Sequence, residues 1–332
     1  MNLNISLEDF LIRNNITKDL WRASDCTWEE LIAIAKDHKK NQTILLQSAD
    51  FFAKLIQQFQ AVHSVRWRIK DAEHLIEKIV RKRALGVEKY LGLTLENYFT
   101  IVTDLVGIRA LHLFKDECFL IDGALRENWL PIEDPIAYTR AGDDKDFLEK
   151  LERQGFDIKS HPAGYRSVHY VFESQPLARK IIMEVQVRTI FEEGWSEIDH
   201  KVRYPNFSDN HLVNYLLTIF NRMAGAADEM GGFVKGLATA LGDYDSKVLT
   251  ANDEKEKSLA AMDEALSELA NAKQQTQESQ KSILKLKQEI DNLKSQSSDK
   301  TASEAEPWVI LLREIVKNSN NQKRIIEKKS LK

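Results

Sequence analysis

Apolar and polar positions divide this chain into zones of different period. From the N-terminus to about residue 98, apolar residues recur every three or four positions, as in Leu45-Leu46, Phe51-Phe52, Leu55-Ile56 and Phe59. Prolines are absent there and glycines nearly so, so the spacing predicts helix throughout. Residues 99–205 carry β-branched segments and most of the prolines, and predict strands. Residues 206–242 return to a helical stripe of Leu212, Leu216, Ile219, Phe220 and Met223, which glycines at 225, 231, 232, 236 and 242 are expected to punctuate.

Beyond residue 246 the pattern thins. Residues 251–300 hold no Gly, Pro or aromatic residue. Leu259, Met262, Leu266 and Leu269 fall at 3-4-3 spacing, as do Ile283, Leu286, Ile290 and Leu293. Polar Lys273 and Thr276 interrupt the register between the quartets, which predicts a broken coiled coil or a helical hairpin. Lys300–Glu306 reads as a loop, Trp308–Val316 as a short apolar helix, and the end is basic. The domains expected are a helical segment 1–44, a central domain 45–242 and a helical extension 243–332, with self-association through residues 255–295.

Composition narrows the classes. The chain has 332 residues, 43 % of them apolar, and a formal net charge of −4, which does not suit a general nucleic-acid coat. Two cysteines without a CxxC exclude a disulfide framework and a Cys-rich zinc module. There is no apolar run of about 18 residues and no signal-peptide pattern, so a soluble, cytoplasmic chain without membrane contact is expected.

Three motifs in the middle carry candidate chemistry. At 100° per residue, Lys70, Lys78 and Arg81 fall within an arc of about 80° on a helix, with Arg68 at its entrance. Converging cations suit a triphosphate, although a basic solvent face gives the same pattern. Asp104-Leu-Val-Gly-Ile-Arg109 places a carboxylate at the mouth of a buried strand. In Met183-Glu-Val-Gln-Val-Arg-Thr189, period 2 puts Glu184, Gln186 and Arg188 on one face and Met183, Val185 and Val187 on the other. Such a strand suits a sheet whose polar face floors a cleft. Tyr165, Ser167 and His169 share a face if Gly164–Tyr170 is also a strand.

Together these segments, with Gly194-Trp-Ser-Glu-Ile-Asp-His-Lys201 and Tyr204, resemble in order and spacing the synthetase domain of the RelA/SpoT family over roughly residues 45–240. The resemblance implies an α+β, nucleotidyltransferase-like mixed sheet flanked by helices, followed here by a coiled-coil-like extension. It implies transfer of the β,γ-pyrophosphate of ATP to the 3′-hydroxyl of GDP or GTP, a GTP pyrophosphokinase reaction that makes the alarmone (p)ppGpp. Asp104 and Glu184 would hold Mg²⁺, with Glu184 near the acceptor hydroxyl as base. Arg68 and Arg109 would bracket the adenine, and Lys70, Lys78 and Arg81 would hold the ATP phosphates. Tyr165 would stack on the acceptor base, with Arg166, His169, Gln186, His200 and Lys201 lining the acceptor side.

None of the eight histidines is followed by Asp, so the His-Asp motif of the family's hydrolase domain is missing and a synthetase-only protein is expected. The acceptor side departs from the family. His161 stands near a position usually Lys, Ala163 where Asn is usual, and His74 replaces a common Ser. Two other functions therefore stand beside guanine-nucleotide synthesis. One is a toxic relative that modifies the tRNA 3′ end or adenine nucleotides; the other is a catalytically silent nucleotide-binding module, which the presence of both Asp104 and Glu184 disfavours.

Overall fold

The computed structural model describes residues 5–140, 142–161, 164–176, 178–203, 210–272 and 277–300. Ala163, Tyr204, Lys273, Thr276 and the apolar and basic segments after residue 300 lie outside the described residues. The chain forms two compact units, residues 1–240 and 241–332.

The first unit opens with α1 (Leu7–Arg13), α2 (Lys18–Ala23), α3 (Trp28–Lys40) and α4 (Gln42–Ile56). Ser6, Thr17 and Thr27 cap the first three, each side chain accepting from a backbone N–H three residues on. Strand β1 (Ser64–Ile69) follows, then α5 (Ala72–Ala84), α6 (Glu88–Leu91) and α7 (Tyr98–Ile101). Strand β2 (Val106–His112), α8 (Cys118–Asn128), β3 (Ile136–Thr139), α9 (Lys145–Arg153), β4 (Asp157–Ser160), β5 (Ser167–Ser174), β6 (Ile181–Thr189) and α10 (Ile190–Arg203) complete the sheet and its cover.

The six strands run in the order β1-β2-β6-β5-β3-β4. β2 and β6 are parallel, as are β3 and β4; the other neighbours are antiparallel. This is the mixed sheet flanked by helices that the sequence implies. One sheet face is apolar: Ile108, Ala110, Val168, Tyr170, Met183, Val185 and Val187 pack into one core with Leu45, Phe52 and Ile56 of α4 and Phe119, Ile121 and Leu125 of α8. A second core joins Phe10, Leu31 and Ile34 to Leu75, Ile76, Ile79 and Val80 of α5 and to Tyr90, Tyr98 and Leu105. Burying such a side chain contributes about 1.5–3 kcal/mol, so the two cores fix α5 and the start of β2 against each other.

Two expectations need correction. Residues 1–98 are not helical throughout, because Ser64–Ile69 is a strand on the edge of the sheet. There Val65, Trp67 and Ile69 alternate with Arg66 and Arg68, a period of two inside a helical zone. Arg68 thus lies on β1 rather than at a helix entrance. Asp71 caps α5 by accepting from the Glu73 N–H (2.7 Å), leaving Lys70 in the bend between strand and helix.

The glycine cluster does not punctuate the late helix either. Helix α11 runs unbroken from His211 to Ala272. A Cβ on Gly225 would lie 1.8 Å from Arg140 Nη1, so this glycine makes room for a guanidinium. In the second unit α11 ends at Ala272 and α12 spans Gln277–Lys300, with Ile290 buried.

Candidate active site

Residues paired across a sheet point to the same face, so the strand register lays out the polar floor directly. Arg68 pairs with Gly107, and Gly107 with Glu184. In the next row Arg66 pairs with Arg109, Arg109 with Gln186, and Gln186 with His169. Gly107 is the only member of these rows without a side chain. Its bare backbone leaves a slot between Arg68 and Glu184, and Arg68 Cγ would lie 3.7 Å from a Cβ placed there. The slot opens into a cleft of about 110 Å³ whose lining includes Arg68, Asp104, Gly107, Arg109, Glu184 and Gln186.

Asp104 is braced from one side. Its Oδ2 accepts from Lys70 Nζ (2.9 Å) and Lys78 Nζ (2.8 Å), while its Oδ1 is buried with no hydrogen-bond partner. Burial pushes this carboxyl up, but the two ammonium groups outweigh burial and hold it below the usual range. The Lys78 ammonium is pushed down by burial and held up, on balance, by Asp104.

Glu184 is oriented by its neighbours in the floor. His169 Nδ1 lies 3.3 Å from Glu184 Oε1, Ser167 Oγ lies 2.6 Å from His169 Nε2, and Gln186 Nε2 donates to Glu184 Oε2 (3.0 Å). The arrangement that satisfies all of them has Nδ1–H donating to the carboxylate and Nε2 accepting from the Ser167 hydroxyl. Burial raises the Glu184 carboxyl, the His169 hydrogen bond lowers it, and the net displacement is downward. Both acids therefore stay ionised in a partly dehydrated cleft.

Two hard-oxygen carboxylates, one with an unpartnered buried oxygen, suit Mg²⁺. That ion needs only one or two protein carboxylates when substrate phosphates and water complete its shell. Among the described residues no group of three or more His, Cys, Asp and Glu forms a cage for a metal.

The remaining sequence-derived residues fall in different places. Arg109 lines the cleft with its guanidinium paired to Glu193 (2.9 Å) and Glu197 of α10. Arg81 turns away from Asp104: it bonds Glu77 and donates to the Asn14 carbonyl (2.6 Å). Lys70 joins Lys78 at Asp104 from the bend before α5, whereas Glu77, one turn back on the helix, and the Asn14 carbonyl take the Arg81 guanidinium. His200 and Lys201 are exposed on α10 and do not line the cleft.

Tyr165 sits in an aromatic cluster, 3.9 Å from the His161 ring and 6.0 Å from Tyr138 between centroids, with the Arg188 guanidinium 5.5 Å over its face. Arg166 points into a separate ionic cluster and pairs with Asp143 (2.7 Å) and Glu229 (2.9 Å). Arg140 belongs to that cluster too, donating to Glu192 (2.7 Å), the Gly164 carbonyl (2.7 Å) and the Asn221 carbonyl (3.2 Å). Thr189 Oγ1 donates to Asp228 Oδ2 (3.0 Å), which ties the end of β6 to α11.

Sequence reasoning missed Gly107, Ser167 as the partner of His169, and Glu193 and Glu197 as the counter-charges of Arg109. The i,i+4 spacing of those two acids was a usable signal. Nothing local marked Arg140.

Comparison with known proteins gives one family. Residues 67–209 match the model described as "Region found in RelA / SpoT proteins". The GTP pyrophosphokinase YwaC of Bacillus subtilis (strain 168) is 24 % identical over 164 residues, which cover 46 % of this chain and 66 % of YwaC, just under two thirds of its length. Small alarmone synthetase 1 of Bacillus subtilis is 19 % identical, with a TM-score of 0.45 over 62 % of this chain and 99 % of that one. A GTP pyrophosphokinase family protein of Streptococcus pneumoniae is 20 % identical, with a TM-score of 0.40 over 71 % of this chain and 97 % of its own. The matched residues hold Arg68, Lys70, Lys78, Asp104, Gly107, Arg109, His169, Glu184 and Gln186.

Proposed function

We propose that this chain is an ATP-dependent pyrophosphotransferase that moves the β,γ-pyrophosphate of ATP to the 3′-hydroxyl of GDP or GTP. The observation that carries the reading is that a lysine-braced Asp104 and a histidine-held Glu184 line one cleft with the bare backbone of Gly107. The domain responsible is taken as residues 45–242, with 243–332 as its helical extension.

The acceptor oxygen attacks the β-phosphorus of ATP, and a new O–P bond forms. The bond from that phosphorus to the α,β-bridging oxygen breaks, and AMP leaves with its electron pair. Glu184, ionised and fixed by His169 and Gln186, receives the hydroxyl proton. Asp104 and Glu184 would hold Mg²⁺, which when bound neutralises charge on the phosphoryl oxygens. A polyphosphate entering the cleft offers Lys70 and Lys78 a second anion beside Asp104, so they bind the donor without leaving their brace. Arg68 covers the donor side of the slot, and the clustered, mutually tilted rings of Tyr165, His161 and Tyr138 support a base on the acceptor side.

The test offers GDP, GTP, ADP, ATP and deacylated tRNA separately to the protein with γ-³²P-ATP and Mg²⁺, using Glu184→Gln as the blank. Label on GDP and GTP alone is the expected result. Label on tRNA or an adenine nucleotide alone overturns the acceptor, and no label on any overturns the activity.

A further inference from the structure

Of the three polar side chains on one face of β6, Glu184 and Gln186 enter the reaction above and Arg188 does not. The Arg188 side chain is only 3 % exposed. Its Nη2 donates to Gln186 Oε1, its Nη1 donates to Ser196 Oγ (3.0 Å), and Nη1 also lies 3.4 Å from Glu193 Oε2. Its Nε is buried without a hydrogen-bond partner. Burying a cation is unfavourable, a leftover donor adds to the cost, and an apolar side chain would cover the same floor at least as well. Stability alone gives no reason for a guanidinium here.

The reason lies one step along the strand. A carboxamide has one accepting end and one donating end. Gln186 turns Oε1 to Arg188 and Nε2 to Glu184 Oε2 (3.0 Å), and among the described residues only Arg188 donates to that Oε1. The reversed amide would set its oxygen against the carboxylate and its NH₂ against the guanidinium, so the charges at the two ends select one orientation. Hydrogen bonds in series also polarise one another, and a cation on Oε1 makes Nε2–H a stronger donor to Glu184. His169, Asp104 and Lys78 face Glu184 from other elements, and Glu193, Arg109 and Tyr165 face Arg188. Ser196 and Glu193 both stand on α10, so the guanidinium is anchored to the helix as well as to its own strand.

We infer that Arg188 is a positioning residue for the transfer: its guanidinium clamps the Gln186 carboxamide, which in turn holds Glu184 in one orientation toward the acceptor hydroxyl. The inference rests on the reading of Glu184 as the base. Because the same guanidinium lies over the face of Tyr165, the base and the acceptor-side ring share one support.

The experiment follows the side-chain amide protons of Gln186 by NMR in the full chain, the signal being identified by its loss in Gln186→Met. Their exchange with solvent is expected to be at least ~10-fold faster in Arg188→Lys, which keeps the charge but lacks the fork. Ser196→Ala removes one anchor of the guanidinium and repeats the test should Arg188→Lys not fold. In transfer from γ-³²P-ATP, Arg188→Lys is expected to lower kcat at least ~10-fold with the KM for ATP within about twofold of the parent's. Arg188→Lys combined with Gln186→Met is expected to be no slower than Gln186→Met alone, because the two residues act in one chain. Unchanged amide exchange in the folded variant overturns the inference, and so do losses that multiply in the double variant. A parent that labels no acceptor overturns the pyrophosphotransferase reading by itself, and amide exchange then decides the clamp on Gln186 alone.

Discussion

The first unit contains two clusters of buried charge built from the same residue types, and they behave oppositely. In the cleft two lysines share one oxygen of Asp104, the other oxygen is left over, and both acids are held below their usual range. Behind it, Arg140, Arg166 and Lys115 meet Asp143, Glu192, Asp228 and Glu229. Asp143 is pushed up by burial and pulled lower by its cationic and backbone partners, but burial wins at Glu192 and at Asp228, which reaches about 6. The first cluster keeps cationic capacity and an unused acceptor facing a cavity, which is what a charged ligand requires. The second joins β3, the Gly164 turn and α11 through Arg140, with Arg166 Nε and Nη1 and Asp228 Oδ1 buried there without hydrogen-bond partners. Shared composition does not make both of them sites: the acids of the first are held ionised beside the cleft, whereas burial pushes Glu192 and Asp228 toward the neutral form.

Three substitutions set the clusters against each other. Glu184→Gln is expected to lower turnover at least ~10³-fold, about 4 kcal/mol of transition-state stabilisation, with ATP affinity within a few-fold of the parent. Single-turnover kinetics and equilibrium nucleotide binding check it, and full activity removes Glu184 from the chemistry. Arg140→Ala is expected to do the reverse. It strips the principal partner from buried Glu192 and costs about 3 kcal/mol of stability, read from urea melts, while activity per folded molecule stays near the parent's. Loss of activity without loss of stability would place Arg140 in the reaction.

The smallest effect is that of Asp228→Asn. The folded carboxyl titrates near 6, above the unfolded 3.8, so the native state holds the extra proton between those values and stability declines as pH rises through that window. Removing the charge should therefore stabilise the fold by about 1 kcal/mol at pH 8 and change little at pH 4. Parallel melts at the two pH values decide it; equal effects at both would mean the change is one of packing.

How much of this was legible varied with range. The alternation of Glu184, Gln186 and Arg188 with Met183, Val185 and Val187 is a local property of one strand, and it survived into the structure as a polar floor over an apolar core. Asp104 before an apolar run was readable for the same reason. The edge strand around Arg66 and Arg68 was hidden by helical neighbours on both sides. Arg81 lies on α5 as the wheel has it, but Glu77 and the Asn14 carbonyl, 67 residues away in sequence, take its guanidinium, and a wheel displays no such contact. The Arg140 cluster spans separations of 52 residues to Glu192 and 81 to Asn221, and no local pattern encodes a contact of that kind.

Helix α11 carries one more consequence. Five glycines fall between residues 225 and 242 of a helix without a break. Relative to alanine they cost about 4–5 kcal/mol of intrinsic helix propensity, so this stretch is helical because it is held rather than by preference. Its amides should report that dependence in hydrogen exchange, opening as one cooperative block ahead of the alanine- and glutamate-rich turns from 251 to 272. A neighbour that grips the stretch would then be visible first as slowed exchange along 225–242.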